Sequence, residues 1–255
     1  MAIIALKAWY LEAYEPLRDL EKRPYDLRLS KNSLLKSALR ADFLDDSDTV
    51  RQSTWFQRYL DGEVVEFYIE GSGGYAIANI DLISHEIYFI KREVMAHLDP
   101  TIYFCYQTDY SPSAELLHQG LTEAIAQLNV KSRVPLTLEL GHRLSEGPAR
   151  LNSRLTRKMA KALLFVADGT PILQSAGDPI LAVPSPHVCV EMGYALQAKP
   201  PEQILLAQMD RPDLPGQYPF DLPAQNRLTF KTAEDLAHQL PDRIKHHLAR
   251  FNLWP

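Results

Sequence analysis

The chain has 255 residues, 46% of them hydrophobic and 23% charged, with a formal net charge of −5. That length carries a sizeable core and permits two domains, while the acidic balance argues against nucleic acid as the main partner. No apolar run reaches the roughly 18 residues of a membrane span, and MAIIALKAWY lacks the basic leader of a signal peptide, so a cytoplasmic protein with no membrane partner is expected.

The first hundred residues, 1–100, read as a small α+β domain of unknown role. Arg18, Lys22, Arg23, Arg28, Lys31, Lys36 and Arg40 make its opening basic, but Asp19, Glu21, Asp26 and the acidic stretch from Asp42 to Asp48 balance them, which describes a solvated charged face. Leu34, Leu35, Ala38, Leu39 and Phe43 recur at helical spacing, with Ser30 or Asn32 placed to cap. EVVEFYIE and YAIANIDLISHEIYFI are rich in β-branched and aromatic residues, and the glycines from Gly71 to Gly74 between them predict an antiparallel hairpin in a small sheet.

From 101 to 255 short apolar runs alternate with helical patterns, the signature of βαβ units. Strands are expected at Ile102 to Tyr106, Leu136 to Leu140, Leu163 to Ala167, Gln203 to Met209 and Arg227 to Phe230. Ser111 and Pro112 open the first intervening helix, whose stripe is Leu117, Leu121, Ile125 and Leu128. Leu151, Leu155, Met159 and Ala162 mark the second, and Ser185 with Pro186 opens the third. Thr232 and Asp235 form a capping box for the last, which Pro241 should kink or restart. The fold class is α/β, with a flavodoxin-like five-stranded parallel sheet in the order 2-1-3-4-5 and ligands expected beyond the carboxyl ends of the strands. Asp109, Asp168 and Glu191 would then ring one crevice.

Cys105 and Cys189 lie in apolar runs without CxxC spacing, so neither structural zinc nor a disulfide framework is expected. Glu191 is the most informative residue. In SPHVCVEMGYAL it is a charge among small and apolar neighbours, a costly placement unless the group is paired or used.

IYFCYQTD, LLFVADGTP, SPHVCVEMGYAL and YPFDLPAQNRLTF, in this order, resemble the TIR-like predicted nucleotide-binding family, related to TIR domains and nucleoside 2-deoxyribosyltransferases. The likeness spans residues 101–251. Ser185 and His187 stand where that family usually has asparagine, and Tyr106 where tryptophan is common. After the second strand the chain reads LELGHRLSEGPARLN, with Glu139 and Glu146 as its acidic residues in place of an Asp-rich loop. The resemblance implies a TIR-like N-glycosidase or ribosyl-transferring enzyme acting on NAD or a related nucleotide without metal or further cofactor. It also implies self-association into homo-oligomers and a role in stress or antiphage defence. By the same resemblance Glu191 is the catalytic carboxylate, either attacking the sugar or stabilising its cation, and Tyr106, Gln107, Asp109, Asp168, Thr170, Ser185 and His187 bind substrate. Two other readings stay open: a module that binds a nucleotide signal without turning it over, and a protein-interaction domain. Asp168 fits a turn cap equally well, and His246 and His247 are expected to face solvent.

Overall fold

The computed structural model describes residues 5–34, 38–92, 95–141, 153–219 and 221–254, excepting the side chains of 31–34 and 38. Leu35, Lys36, Glu146 and Leu151, and the side chains of Lys31, Asn32, Leu34 and Ala38, therefore lie outside the description. The chain divides into two compact units, Met1–His97 and Leu98–Pro255.

The first unit contains β1 (Ala5–Tyr10), α1 (Leu17–Leu20), β2 (Leu27–Leu34), β3 (Ala38–Phe43), α2 (Ser47–Gln52), α3 (Thr54–Leu60), β4 (Glu66–Ile69), β5 (Gly73–Asp81) and β6 (Glu86–Lys91). The strands form a closed antiparallel barrel in the order β1-β2-β3-β6-β5-β4, sealed by pairing of β1 with β4. This corrects the expectation of a small antiparallel sheet, and it removes the exposed edges that such a sheet would leave.

A second correction concerns the predicted helix around Leu39. Leu34 and Leu39 are partners across the β2–β3 ladder, and Leu39, Ala41 and Phe43 all point into the barrel at 0 to 2% exposure. Leu39 and Phe43 fit a spacing of four, but with Ala41 they fit period two equally, and the barrel core of Leu27, Leu29, Phe67, Ile87 and Phe89 decides between them. The glycine-rich segment is the β4–β5 turn, in which Gly71 and Gly73 adopt φ of +66° and +110°, values that penalise a Cβ. The basic residues are neutralised locally: Arg18 and Lys22 by Asp19, Arg23 by Glu15 and Asp26, Arg28 by Asp45, and Arg40 by Glu86.

The second unit comprises β7 (Asp99–Cys105), α4 (Ser111–Asn129), β8 (Thr137–Leu140), α5 (Ser153–Lys161), β9 (Ala162–Asp168), β10 (Pro171–Gln174), β11 (Ala182–Pro184), α6 (Pro186–Ala198), β12 (Ile204–Met209), β13 (Arg227–Phe230) and α7 (Ala233–Leu248). Five strands form one parallel sheet in the order β13-β12-β9-β7-β8. Numbered within the sheet, that is the expected 2-1-3-4-5. β9 is buried along its whole length, as a central strand covered on both faces must be. α4 packs with α7, and α5 with α6. Tyr103, Cys105, Phe165 and Ala167 pack against Met159 of α5 and Val188, Met192 and Ala195 of α6. Side chains alternate along β7, so Phe104 belongs to the α4 face.

The β10–β11 hairpin, inserted between β9 and α6, has no counterpart in the sequence reading. Tyr110, not Ser111, occupies the N-cap of α4, with Pro112 in its first turn. The Thr232–Asp235 capping box is present with both of its hydrogen bonds. α7 runs as one helix through Pro241, which is buried, and the carbonyl left without its helical donor belongs to Ala237, an exposed residue.

Candidate functional site

The carboxyl ends of β7 and β9 meet in a buried polar network. Asp168 closes β9 with no exposed surface, and its carboxylate accepts from Ser113 Oγ at 2.7 Å and from the Thr170 backbone N–H at 3.1 Å. Gln107 Nε2 donates to Thr170 O at 3.0 Å and to Ser113 Oγ at 3.3 Å. Thr170 Oγ1 in turn accepts from Met209 N at 2.8 Å, so the exits of three strands and the first turn of α4 are tied together. Burial pushes the Asp168 carboxyl above the ordinary carboxylate value, and the hydrogen bonds from Ser113, Thr170 and Gln107 oppose that rise. Gly169 follows because nothing larger fits: a Cβ there would lie 2.4 Å from Leu206 Cδ1 and 2.9 Å from its Cγ.

Beside this network, Ser185 Oγ donates to Asp109 Oδ2 at 2.6 Å. The hydroxyl of Ser185, itself fully buried, thus fastens the loop after β7 to the start of α6 rather than capping the helix. Asp109 is exposed, and so is His187 in the first turn of α6. Across the loop, Arg211 at the exit of β12 lies 4.2 Å over the Tyr110 ring and pairs with Asp213.

Glu191 lies one turn further along α6 and is 4% exposed. It faces the sheet among the apolar residues of the α5–α6 side, where Tyr103 Oη donates to its Oε2 at 3.3 Å. Ala195, fully buried, is one turn on and lets the helix approach the strands, whereas Gly193 is exposed and does not contribute to that approach. Cys105 is buried, and burial pushes the Cys189 thiol up, so both cysteines serve as small apolar groups.

A pocket of about 380 Å³ opens on the other face of the sheet, between the ends of β7 and β8 and the start of α4. Phe104, Tyr106 and Leu140 line it from the sheet, and Ala114, Glu115 and His118 from the helix. Gln107 also lines it and is 1% exposed. Tyr106 is half-buried there, with its ring 6.0 Å from that of Phe104.

The expected site residues therefore fall into five places. Tyr106 and Gln107 line the α4-face pocket, Gln107 also joins Asp168 and Thr170 in the buried network, and Asp109 and Ser185 form a clasp. Glu191 is on the α6 face and His187 in solvent. None of the three carboxylates lines the α4-face pocket. Glu139 lies in β8 and pairs with Lys158 of α5.

Four residues went unread in the sequence: Ser113, which donates to Asp168; Tyr103, which donates to Glu191; and Glu115 and His118, which line the pocket from the helix. For Tyr103 a signal exists, since a tyrosine inside a buried strand needs a hydrogen-bond acceptor. His247, expected in solvent, is 3% exposed and bonds through Nδ1 with Glu202 O at 2.8 Å, because the α7 stripe at Leu240 and Ile244 turns that position inward. Among the described residues no group of three or more His, Cys, Asp or Glu is placed to hold a metal ion, and no helix is long and apolar enough to cross a membrane. Comparison with family models, curated proteins and solved structures gives no match for this chain.

Proposed function

We propose that the second unit is a TIR-like, flavodoxin-like nucleotide-processing domain: an N-glycosidase or ribosyl-transferring enzyme acting on NAD or a related nucleotide, in a stress or antiphage defence role. Glu191 carries the reading. Among the described apolar side chains of the α5–α6 face, an acidic residue is held 4% exposed on the helix that follows the β9 exit. The four resembling motifs add support, because they fall on β7, β9, α6 and β13, and the exits of β7 and β9 converge with the start of α6 at the carboxyl edge of the sheet, where ligands bind in this topology.

Departure of a base from ribose leaves positive charge on the sugar, and a preorganised carboxylate stabilises that charge more in the transition state than in the ground state. Tyr103 donates to Oε2 of Glu191 and so helps to orient a carboxylate whose role is either electrostatic stabilisation or attack at the anomeric carbon. Asp168, locked by Ser113 and Thr170, holds the strand exits and the start of α4 in register around the reaction site.

One observation favours a second reading, a domain that binds a nucleotide without consuming it: Tyr106 and Gln107 line a pocket on the face away from Glu191. Incubating the full chain with NAD and with nucleosides, and measuring free base and remaining substrate, separates the two. Base release that disappears in Glu191→Gln supports the enzyme. Ligand bound but not consumed supports the binding module, and equal release by both proteins removes Glu191 from the reaction.

A further inference from the structure

Glu191 is 4% exposed, so a sugar reaches its carboxylate only if a covering group moves. The cover on the carboxyl-edge side can be identified from both walls of the α6 face. On β7, Cys105 lies one step beyond Tyr103 on the same side of the strand, and on α6, Val188 lies one turn before Glu191. Both therefore stand nearer the strand exits than the Tyr103–Glu191 pair. Tyr218, in the segment after β12, packs against the cluster that holds Cys105 and Val188. Its hydroxyl lies 3.1 Å from where a Cβ on Gly169 would stand, at the exit of β9. Burial pushes the phenol above the ordinary tyrosine value, with Cys189, Cys105 and Asp168 adding to the rise, which suits a ring inserted between the strand exits and α6.

The segment that carries this ring is attached at its surface by few bonds. Gln217 joins the β10–β11 hairpin at an isolated bridge to Leu181, where its N–H donates to Ile180 O at 2.9 Å and its O accepts from Ala182 N–H at 2.8 Å. Gln174 Nε2 also donates to Pro215 O. Gly216 and Gln217 are exposed, and Gly216 lies so close to the hairpin that a Cβ would stand 2.7 Å from Ala182 N. One aromatic anchor on a strand of one bridge is the kind of element that opens locally at a cost well below global unfolding.

We infer that Gly216–Tyr218 is a lid over Glu191, closed in this structure by the Tyr218 ring, and that substrate meets the carboxylate only when this segment leaves the hairpin. The consequence for base release rests on the glycosidase reading of Glu191; the lid itself does not.

Cys105 is fully buried behind Tyr218 and reports opening without any substrate. The test measures two things on the full chain: iodoacetamide labelling of Cys105, read by peptide mass spectrometry, and base release from NAD and nucleosides. Wild type, Tyr218→Ala and Gly216→Ala are compared as proteins that still melt cooperatively. Gly216→Ala pushes the segment off the hairpin while keeping every core side chain, so it decides if Tyr218→Ala fails to fold. Apparent affinity falls by the fraction of molecules that are open, so both variants should label Cys105 at least about tenfold faster and raise kcat/KM for base release by a similar factor. Adding Glu191→Gln to Gly216→Ala should keep the fast labelling and abolish the release. The inference is overturned if folded Gly216→Ala labels Cys105 at the wild-type rate, or if wild type releases base and neither variant raises kcat/KM. Fast labelling with no base release from any of these proteins upholds the lid and removes the glycosidase reading.

Discussion

Tyr103 and Glu191 lie 88 positions apart, and Ser113 and Asp168 lie 55 apart. Glu191 was legible in the sequence because its anomaly is local, a charge inside an apolar helix. Its partner was not, because strand-to-helix contacts are set by the sheet order and not by spacing. The same holds for Asp168, whose acidic character predicted a cap or a ligand contact; the structure has it accepting from the Thr170 backbone two residues on and from Ser113 in α4.

Gly169 makes the tightness of this corner measurable. Leu206 is fully buried and cannot swing away from a new methyl group, so Gly169→Ala should lose about 1 to 3 kcal/mol in denaturant unfolding, more than an alanine at open Gly193. Lys199 gives a pH test. It is 5% exposed and donates to the carbonyls of Ala160 and Ala162 and to Gln203 Oε1, while burial, with Arg250 nearby, lowers its pKa from 10.5 to about 8. Between those values the unfolded chain binds the proton and the folded chain does not, so stability rises with pH through that window and is flat below it. Wild type should gain up to about 3 kcal/mol from the lower to the upper end relative to Lys199→Gln, and parallel pH profiles for the two proteins would refute the assignment.

At the scale of elements, the βαβ half was read well because each strand is a short apolar run and each helix carries its own stop and start signals. The capping box is the clearest example: Thr232→Ala should cost about 1 kcal/mol in thermal or denaturant unfolding, since Asp235 loses its reciprocal partner at the head of α7. The barrel half was read less well, since Leu39, Ala41 and Phe43 satisfy a strand only once β2 and β6 stand on either side. The β10–β11 hairpin escaped notice for a related reason: its strands are four and three residues long, too short for a period to declare itself. His247 shows the limit of judging a residue by type, for a histidine beside exposed His246 is carried inward by the helical stripe.

For the whole molecule, the parallel sheet order followed from alternation and the crossover rule, while closure of the barrel depends on the pairing of β1 with β4, far apart in the chain. Each unit has its own core, so a fragment of Met1–His97 should fold alone with a β-dominated circular dichroism spectrum and a cooperative melt; an unfolded fragment would contradict that division. The account as a whole turns on whether the carboxylate of Glu191 does chemistry at the edge of the sheet. The most direct measurement is the rate of nicotinamide release from NAD, and of base from nucleosides, by the full chain and by Glu191→Gln at equal concentration. The account predicts release by wild type and a fall of at least about 100-fold in the variant, the scale of losing one transition-state charge contact; matching rates in the two proteins would contradict it.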